Sequence, residues 1–171
     1  MPKVEISSKG LIQTTGNGLQ IDLPVTLNSS GLSGVRYSSE TSIIKTGAGN
    51  TQMSVVVPPG ALLTDVGVVC TDGVDASTSL TVTAKVGTAA GGAQICAAAN
   101  FASAATGTDI IEAGHAISTS GANGEGAAAL AFVAECAMRA TAARTVHFTI
   151  THDTGNLTSG KVVCYAAYAV V

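Results

Sequence analysis

Two overlapping stretches near the end of the chain carry residue types that can do chemistry. Gly155, Gly160 and Lys161 have the Gly-x-x-x-x-Gly-Lys spacing that opens a phosphate-binding loop, in which backbone amides cradle phosphate oxygens and a lysine neutralises them. That chemistry also needs a Ser or Thr hydroxyl next, for magnesium, and a helix whose N-terminal amides face the phosphates. Val162 stands where the hydroxyl belongs, and the residues after it are apolar and partly β-branched, so the stretch reads as a hairpin loop. Asp153-Thr154-Gly155 matches the short signature of aspartic proteases, where paired carboxylates share a proton and activate water. Thr151 and His152 precede it in place of an apolar strand, and Asn156 follows it in place of a small residue. A second Asp would have to come from another subunit, whereas Asp-Thr-Gly-Asn is ordinary turn chemistry.

The remaining reactive side chains do not converge. His147 and His152 are an odd number of positions apart, so a regular strand sends them to opposite faces, and His115 is far away in sequence. All three read as surface or partner-contacting residues. Cys70, Cys96, Cys136 and Cys164 include no Cys-x-x-Cys pair and each lies within or beside an apolar run, so they read as free, inward-facing thiols. Neither a catalytic residue nor a metal ligand or cofactor site is assigned.

The elements that would position these residues are strands. Val146, Phe148 and Ile150 alternate with His147, Thr149 and Thr151, and Leu80, Val82, Ala84 and Val86 alternate with Thr81, Thr83 and Lys85. Both have the period of a half-buried strand. The run 161–171 ends on Val170 and Val171 with no charge after Lys161, and such a strand has to be paired or covered. Residues 52–57 end at the turn Pro58-Pro59-Gly60, and 61–71 follow with Leu62, Val66 and Val68 expected opposite Leu63, Asp65 and Gly67. Residues 93–98 and 110–117 read as further strands and 118–126 as a glycine-rich loop. The Ala-rich stretch 127–143 is assigned mainly as strand, with Phe132 and Phe148 in the core. Many short strands between turns rich in Gly, Ser and Thr predict an all-β fold, a β-sandwich plausibly of jelly-roll type.

Residues 1–50 differ from the rest. Glycines interrupt them often, and their apolar pieces are short, with Val4 and Ile6 in one and Leu19, Ile21 and Leu23 in another. They read as an extended N-terminal arm with short strands, ordered on a partner, and residues 51–171 as the sandwich domain. Val4, Ile6, Leu19, Ile21 and Leu23 are the expected anchors of that arm on its partner.

Composition narrows the function classes. The chain has 171 residues, enough for one domain but not for two large ones, with 46% hydrophobic, 4% aromatic and 11% charged residues. Small side chains and so little charge point to a surface that is not permanently solvated, hence to an assembly component and a homo-oligomer, expected as a trimer. A net charge of -3 with scattered Lys and Arg argues against nucleic acid as a partner. Residues 1–8 do not read as a secretory signal, and the Ala-rich run 127–134 is too short to span a membrane.

The opening residues 3–18, the stretch from Leu80 to Gly87, the run 89–93 and the closing 160–165 together resemble tailed-bacteriophage virion proteins, in particular head decoration, cement and head-fibre proteins. The resemblance implies a non-enzymatic structural protein that binds the major capsid protein on the outside of an assembled shell, after assembly in the host cytoplasm. It transfers no catalytic residue. A tail or fibre component is the structural alternative. A carbohydrate- or receptor-binding β-sandwich, using loop 118–126, is the alternative from another class, although sugar platforms commonly present aromatic rings, which are few here.

Overall fold

The structure is a computed structural model that describes residues 4–7, 10–13, 32–124, 126–133 and 142–170. The described residues are all β, without a helix. Strands β1 (Val4–Ser7) and β2 (Gly10–Gln13) form an antiparallel hairpin of their own. The remainder builds two antiparallel sheets packed face to face. One is six-stranded and holds β3 (Leu32–Tyr37), β4 (Thr41–Ser42), β6 (Ala61–Asp72), β9 (Ala116–Ser118), β10 (Gly121–Ala122) and β12 (Lys161–Val170). The other is four-stranded and holds β5 (Gly49–Val57), β7 (Val74–Gly87), β8 (Cys96–Ile111) and β11 (Arg144–His152).

The neighbour order identifies the topology. β3, β12, β6 and β9 lie side by side in the first sheet and β5, β11, β7 and β8 in the second. Leaving aside the two-residue strands and the hairpin, these are the first, eighth, third and sixth strands against the second, seventh, fourth and fifth, which is the jelly roll of two interlocked Greek keys. The β-sandwich expected from the spacing of strands and turns is therefore the fold.

Alternation accounts for the core. Val146, Phe148 and Ile150 on β11, and Leu80, Val82, Ala84 and Val86 on β7, all point between the sheets and are buried, as their period of two requires. On β6 the phase is broken. Asp65 pairs with Ala167 and Leu63 with Tyr168, so Thr64 is an extra residue with no partner, a β-bulge. The bulge turns Leu63 to the same side as Val66, Val68 and Cys70, all buried, which corrects the expectation that Leu63 would face away from Val66 and Val68.

Three other expectations change. Residues 110–117 are not one strand: β8 ends at Ile111, and a turn closed by the His115 amide on the Glu112 carbonyl, with Gly114 at φ 90°, precedes β9. Residues 118–126 are not all loop, since β10 pairs back on β9. Residues 127–133 form extended coil that is tied to the strands by the Ala128 amide donating to the Asn100 carbonyl of β8, the Leu130 amide donating to the Ser118 carbonyl of β9 and a bridge between Phe132 and Cys96; Leu130 is buried there and Phe132 is exposed rather than in the core. Residues 134–141, with Cys136, lie outside the described residues.

Within the first fifty residues, β3 and β4 pair with β12, and Ile43 is fully buried between the sheets. The physical reason is β12 itself, whose apolar residues on both faces need a neighbour along their edge.

Cys70 and Cys164 are buried free thiols, and Cys96 is buried as well. Burial pushes the Cys70 thiol up to about 11 from 9.0, and pushes Cys164 up further in the same direction. Because the thiolate is the nucleophile, a two-unit rise removes about a hundredfold of the reactive form at pH 8. Alkylation of Cys70 by iodoacetamide, followed by mass spectrometry, is expected to slow by about that factor in the native chain relative to the chain in denaturant. Equal labelling rates in the two conditions would place Cys70 in solvent and contradict the packing.

Candidate interaction face

The two outer faces of the sandwich differ in chemistry. On the four-stranded sheet, Gln52 and Ser54 of β5, His147, Thr149 and Thr151 of β11, and Thr81, Thr83 and Lys85 of β7 point away from the core, with Val56 the apolar exception. That face is polar, as expected of a sheet that meets water, except at Thr149, which is buried beneath the Gly91 amide that donates to its hydroxyl. On the six-stranded sheet, the positions that alternate outward are mostly apolar: Val35 and Tyr37 of β3, Val163, Tyr165, Ala167 and Ala169 of β12, and Leu62, Gly67 and Val69 of β6, with Ser33, Lys161 and Asp65 the polar members. Tyr37 is 66% and Val35 46% exposed. An outer face of this composition is what marks a contact surface rather than a solvated one.

Register builds a flat row across it. Tyr37 pairs with Tyr165, Tyr165 with Gly67, Gly67 with Ser118 and Ser118 with Gly121. The Tyr37 and Tyr165 rings are 6.1 Å apart between centroids and tilted by 44°, an aromatic pair within contact range. Gly67 is required by this row: a Cβ there would come within 2.6 Å of the Tyr165 ring, so the ring lies directly on the β6 backbone.

One carboxylate, Asp65, sits in this face, and its oxygens are committed. The Tyr165 hydroxyl donates to Oδ2 at 2.9 Å, and the Thr119 amide and hydroxyl donate to Oδ1 at 3.1 and 2.5 Å. Burial, helped by Asp65, raises the Tyr165 pKa, so its hydroxyl keeps its proton and stays a donor. The bulge at Thr64 aims Asp65 along the face toward these donors, and the face therefore presents little free charge.

A concavity of about 680 Å³ lies where β8 bends into the turn before β9, lined by Ser103, Thr106, Thr108, Asp109, Glu112 and His115 among others. Asp109 has φ 50°, held by its amide donating to Asp75 Oδ1 at 2.8 Å. His115 is tied to Glu112, with Nε2 at 3.5 Å from its carboxylate and Nδ1 accepting its amide at 3.3 Å. Among the described residues no group of three His, Cys, Asp or Glu side chains is arranged to hold a metal ion.

The residues singled out from sequence are placed as follows. Asp153 is exposed and spends Oδ1 on the Thr81 and Thr154 amides, and the Thr81 bond foremost lowers its pKa; this is turn chemistry. Lys161 begins a strand, with Nζ 3.5 Å from Glu40, and Gly160 at φ 120° packs against Val74 and Ile43. His152 is buried, its Nε2 hydrogen-bonded to the Gly47 carbonyl, which corrects its reading as a surface residue; packing beside Ile150 carried it inside. His147 faces outward, so the two do lie on opposite sides of β11. Val4 and Ile6 are in β1, while Leu19, Ile21 and Leu23 lie outside the described residues.

The apolar face itself escaped sequence reading. Its signal was present in β12, where apolar residues occupy both parities between Val162 and Val170. No family model and no curated protein matches the chain. Two solved structures show a likeness: infectious bursal disease virus Gx strain, at 13% identity and TM-score 0.43, and its Gt strain, at 12% identity and TM-score 0.36. The matches cover 99% and 96% of this chain but 42% and 43% of those chains, so this chain spans less than half their length. Likeness at these scores carries no argument about function.

Proposed function

We propose that the chain is a non-enzymatic structural component of a virion, which docks on the outer surface of a phage capsid and stabilises or decorates it. The observation that supports this reading best is the asymmetry of the sandwich, one sheet face polar and the other paved with Tyr37, Tyr165, Val35 and small apolar residues. A jelly roll is shared by capsid, lectin and cupin domains, so the fold is an analogy and the face is the argument. The partner is the major capsid protein. A flat apolar patch with aromatic anchors and a satisfied carboxylate desolvates at little cost, and repetition over a symmetric shell multiplies contacts that are individually weak.

The experiment is co-sedimentation of the V35D/Y37D chain with shells that lack this protein. Both side chains are already exposed, so thermal melting should be unchanged, while shell affinity is expected to fall at least about tenfold. Binding of the double variant at the native level, or failure of the native chain to bind shells at all, would overturn the proposal.

A further inference from the structure

The β9–β10 corner of the apolar face is held by little backbone pairing. Among the described residues, β9 meets β6 through three residue pairs, from Gly67–Ser118 to Val69–Ala116, and β10 meets β9 through two. Ladders this short hold poorly by themselves and open locally. Side chains take over where the ladder stops. The Thr119 amide is shared between the Val66 carbonyl and Asp65 Oδ1, each at 3.1 Å. The Thr119 hydroxyl accepts the Val66 amide at 3.3 Å and donates to Asp65 Oδ1 at 2.5 Å. Within the turn, the Ser118 hydroxyl accepts the Ser120 amide at 3.1 Å and donates to the Gly121 carbonyl at 3.2 Å.

The other oxygen of Asp65 serves the neighbouring strand. Oδ2 accepts the Tyr165 hydroxyl at 2.9 Å, and the ring behind that hydroxyl lies on Gly67, where no Cβ intervenes. One carboxylate on β6 thus ties the β9–β10 turn on one side to the β12 ring that abuts Tyr37 on the other. Hydrogen bonds to an ionised acceptor are roughly twice as strong as neutral ones, so this tie is stiffer than a hydroxyl or amide in its place would make it.

We infer that Asp65 is a positioning residue of the docking face: it holds the Tyr165 ring flat on β6 and the β9–β10 hairpin in line with it, so that the row from Tyr37 to Gly121 meets a partner as one preformed surface. This rests on the docking proposed above and adds the group that sets the shape of the contact. Asp65 acts through Tyr165 and Thr119, since both of its oxygens are engaged within the chain. A preformed surface binds more tightly because its side chains and turn are ordered on folding and need not be ordered on docking.

The test compares native, D65A, Y165F, D65A/Y165F, T119V and T119S chains by nitration with tetranitromethane, amide hydrogen exchange and co-sedimentation with shells that lack this protein. Tyr37, 66% exposed, is the internal reference for nitration. In D65A, nitration of Tyr165 is expected to rise at least about fivefold relative to Tyr37, because the ring is released and its hydroxyl ionises more readily without the carboxylate beside it. Amides of the turn 119–121 should exchange at least about fivefold faster in D65A and T119V, and at the native rate in T119S, which keeps the hydroxyl. Shell affinity should fall about threefold to tenfold in D65A and Y165F, and D65A/Y165F should bind no more weakly than D65A, since the two changes break the same bond. Asp65, Thr119 and Tyr165 are only partly buried, so water replaces the lost bonds and folding survives; Y165F, which removes a single atom, keeps the test decisive if D65A melts low.

Native rates of Tyr165 nitration and turn exchange in D65A overturn the inference. Additive affinity losses in D65A/Y165F overturn it as well, as does native shell affinity in a D65A chain whose Tyr165 has been freed. A native chain that binds no shell overturns docking and this inference together, and it is told apart from failure of the inference alone because nitration and exchange are read without shells.

Discussion

A Phe148→Ala chain is expected to lose about 3–5 kcal/mol of stability, enough to unfold much of a domain whose total is on the order of 5–15 kcal/mol. Phe148 has no exposed surface and sits in β11, which is paired on both sides, with Met53 opposite it on β5 and Val86 on β7. The chain has no Trp and only three Phe, and its core is otherwise made of Val, Ile, Leu, Ala and Cys with the single Met53. Small neighbours cannot reach across the void that a missing ring leaves, so the cavity persists rather than collapsing. Urea unfolding followed by circular dichroism measures the change. A loss below about 1 kcal/mol would mean that the two sheets do not close on Phe148 as described.

The strands that were legible in the sequence are those with one wet face. β7 and β11 alternate apolar with Thr, Lys and His because their outer sides, apart from the covered Thr149, meet water, so period and phase could both be read from residues 80–86 and 146–151. β12 was legible as a strand but not as a face, since Val163, Tyr165 and Ala167 are as apolar as Val162, Cys164 and Ala166 that pack inward. The phase of β6 was hidden by Thr64, because a bulge is a property of pairing with β12 and leaves no mark of its own in the residue pattern. Small residues hid the coil at 127–133, where Ala has no side chain long enough to declare a side. The candidate face was invisible for a related reason: Tyr37 and Tyr165 are 128 positions apart and meet only through the register of β3 on β12.

Two truncations are expected to behave oppositely. A chain starting at Leu32 retains every strand of both sheets and should keep its β circular dichroism and a cooperative melt. A chain starting at Thr51 loses β3, β4, Ile43 and the first two residues of β5. Loss of Ile43 alone leaves a cavity worth about 2–5 kcal/mol. Loss of β3 also strips the edge of β12, freeing the backbone groups that its six residue pairs with β3 engage, and uncovers Tyr168, whose ring packs over Gly34. The Gly47 carbonyl that partners buried His152 goes as well, leaving that imidazole unsatisfied. The three losses act on one edge of the sandwich, so the shorter chain is expected to be unfolded or aggregated at 25 °C. Shell co-sedimentation of the chain starting at Leu32 then isolates the contribution of residues 1–31, with Val4, Ile6, Leu19, Ile21 and Leu23 among them. If that chain binds shells as tightly as the full chain, those five residues anchor nothing and the sheet face is sufficient. If the chain starting at Thr51 melts cooperatively near the native temperature, β3 and Ile43 are dispensable, and the sandwich is held by β5 to β12 alone.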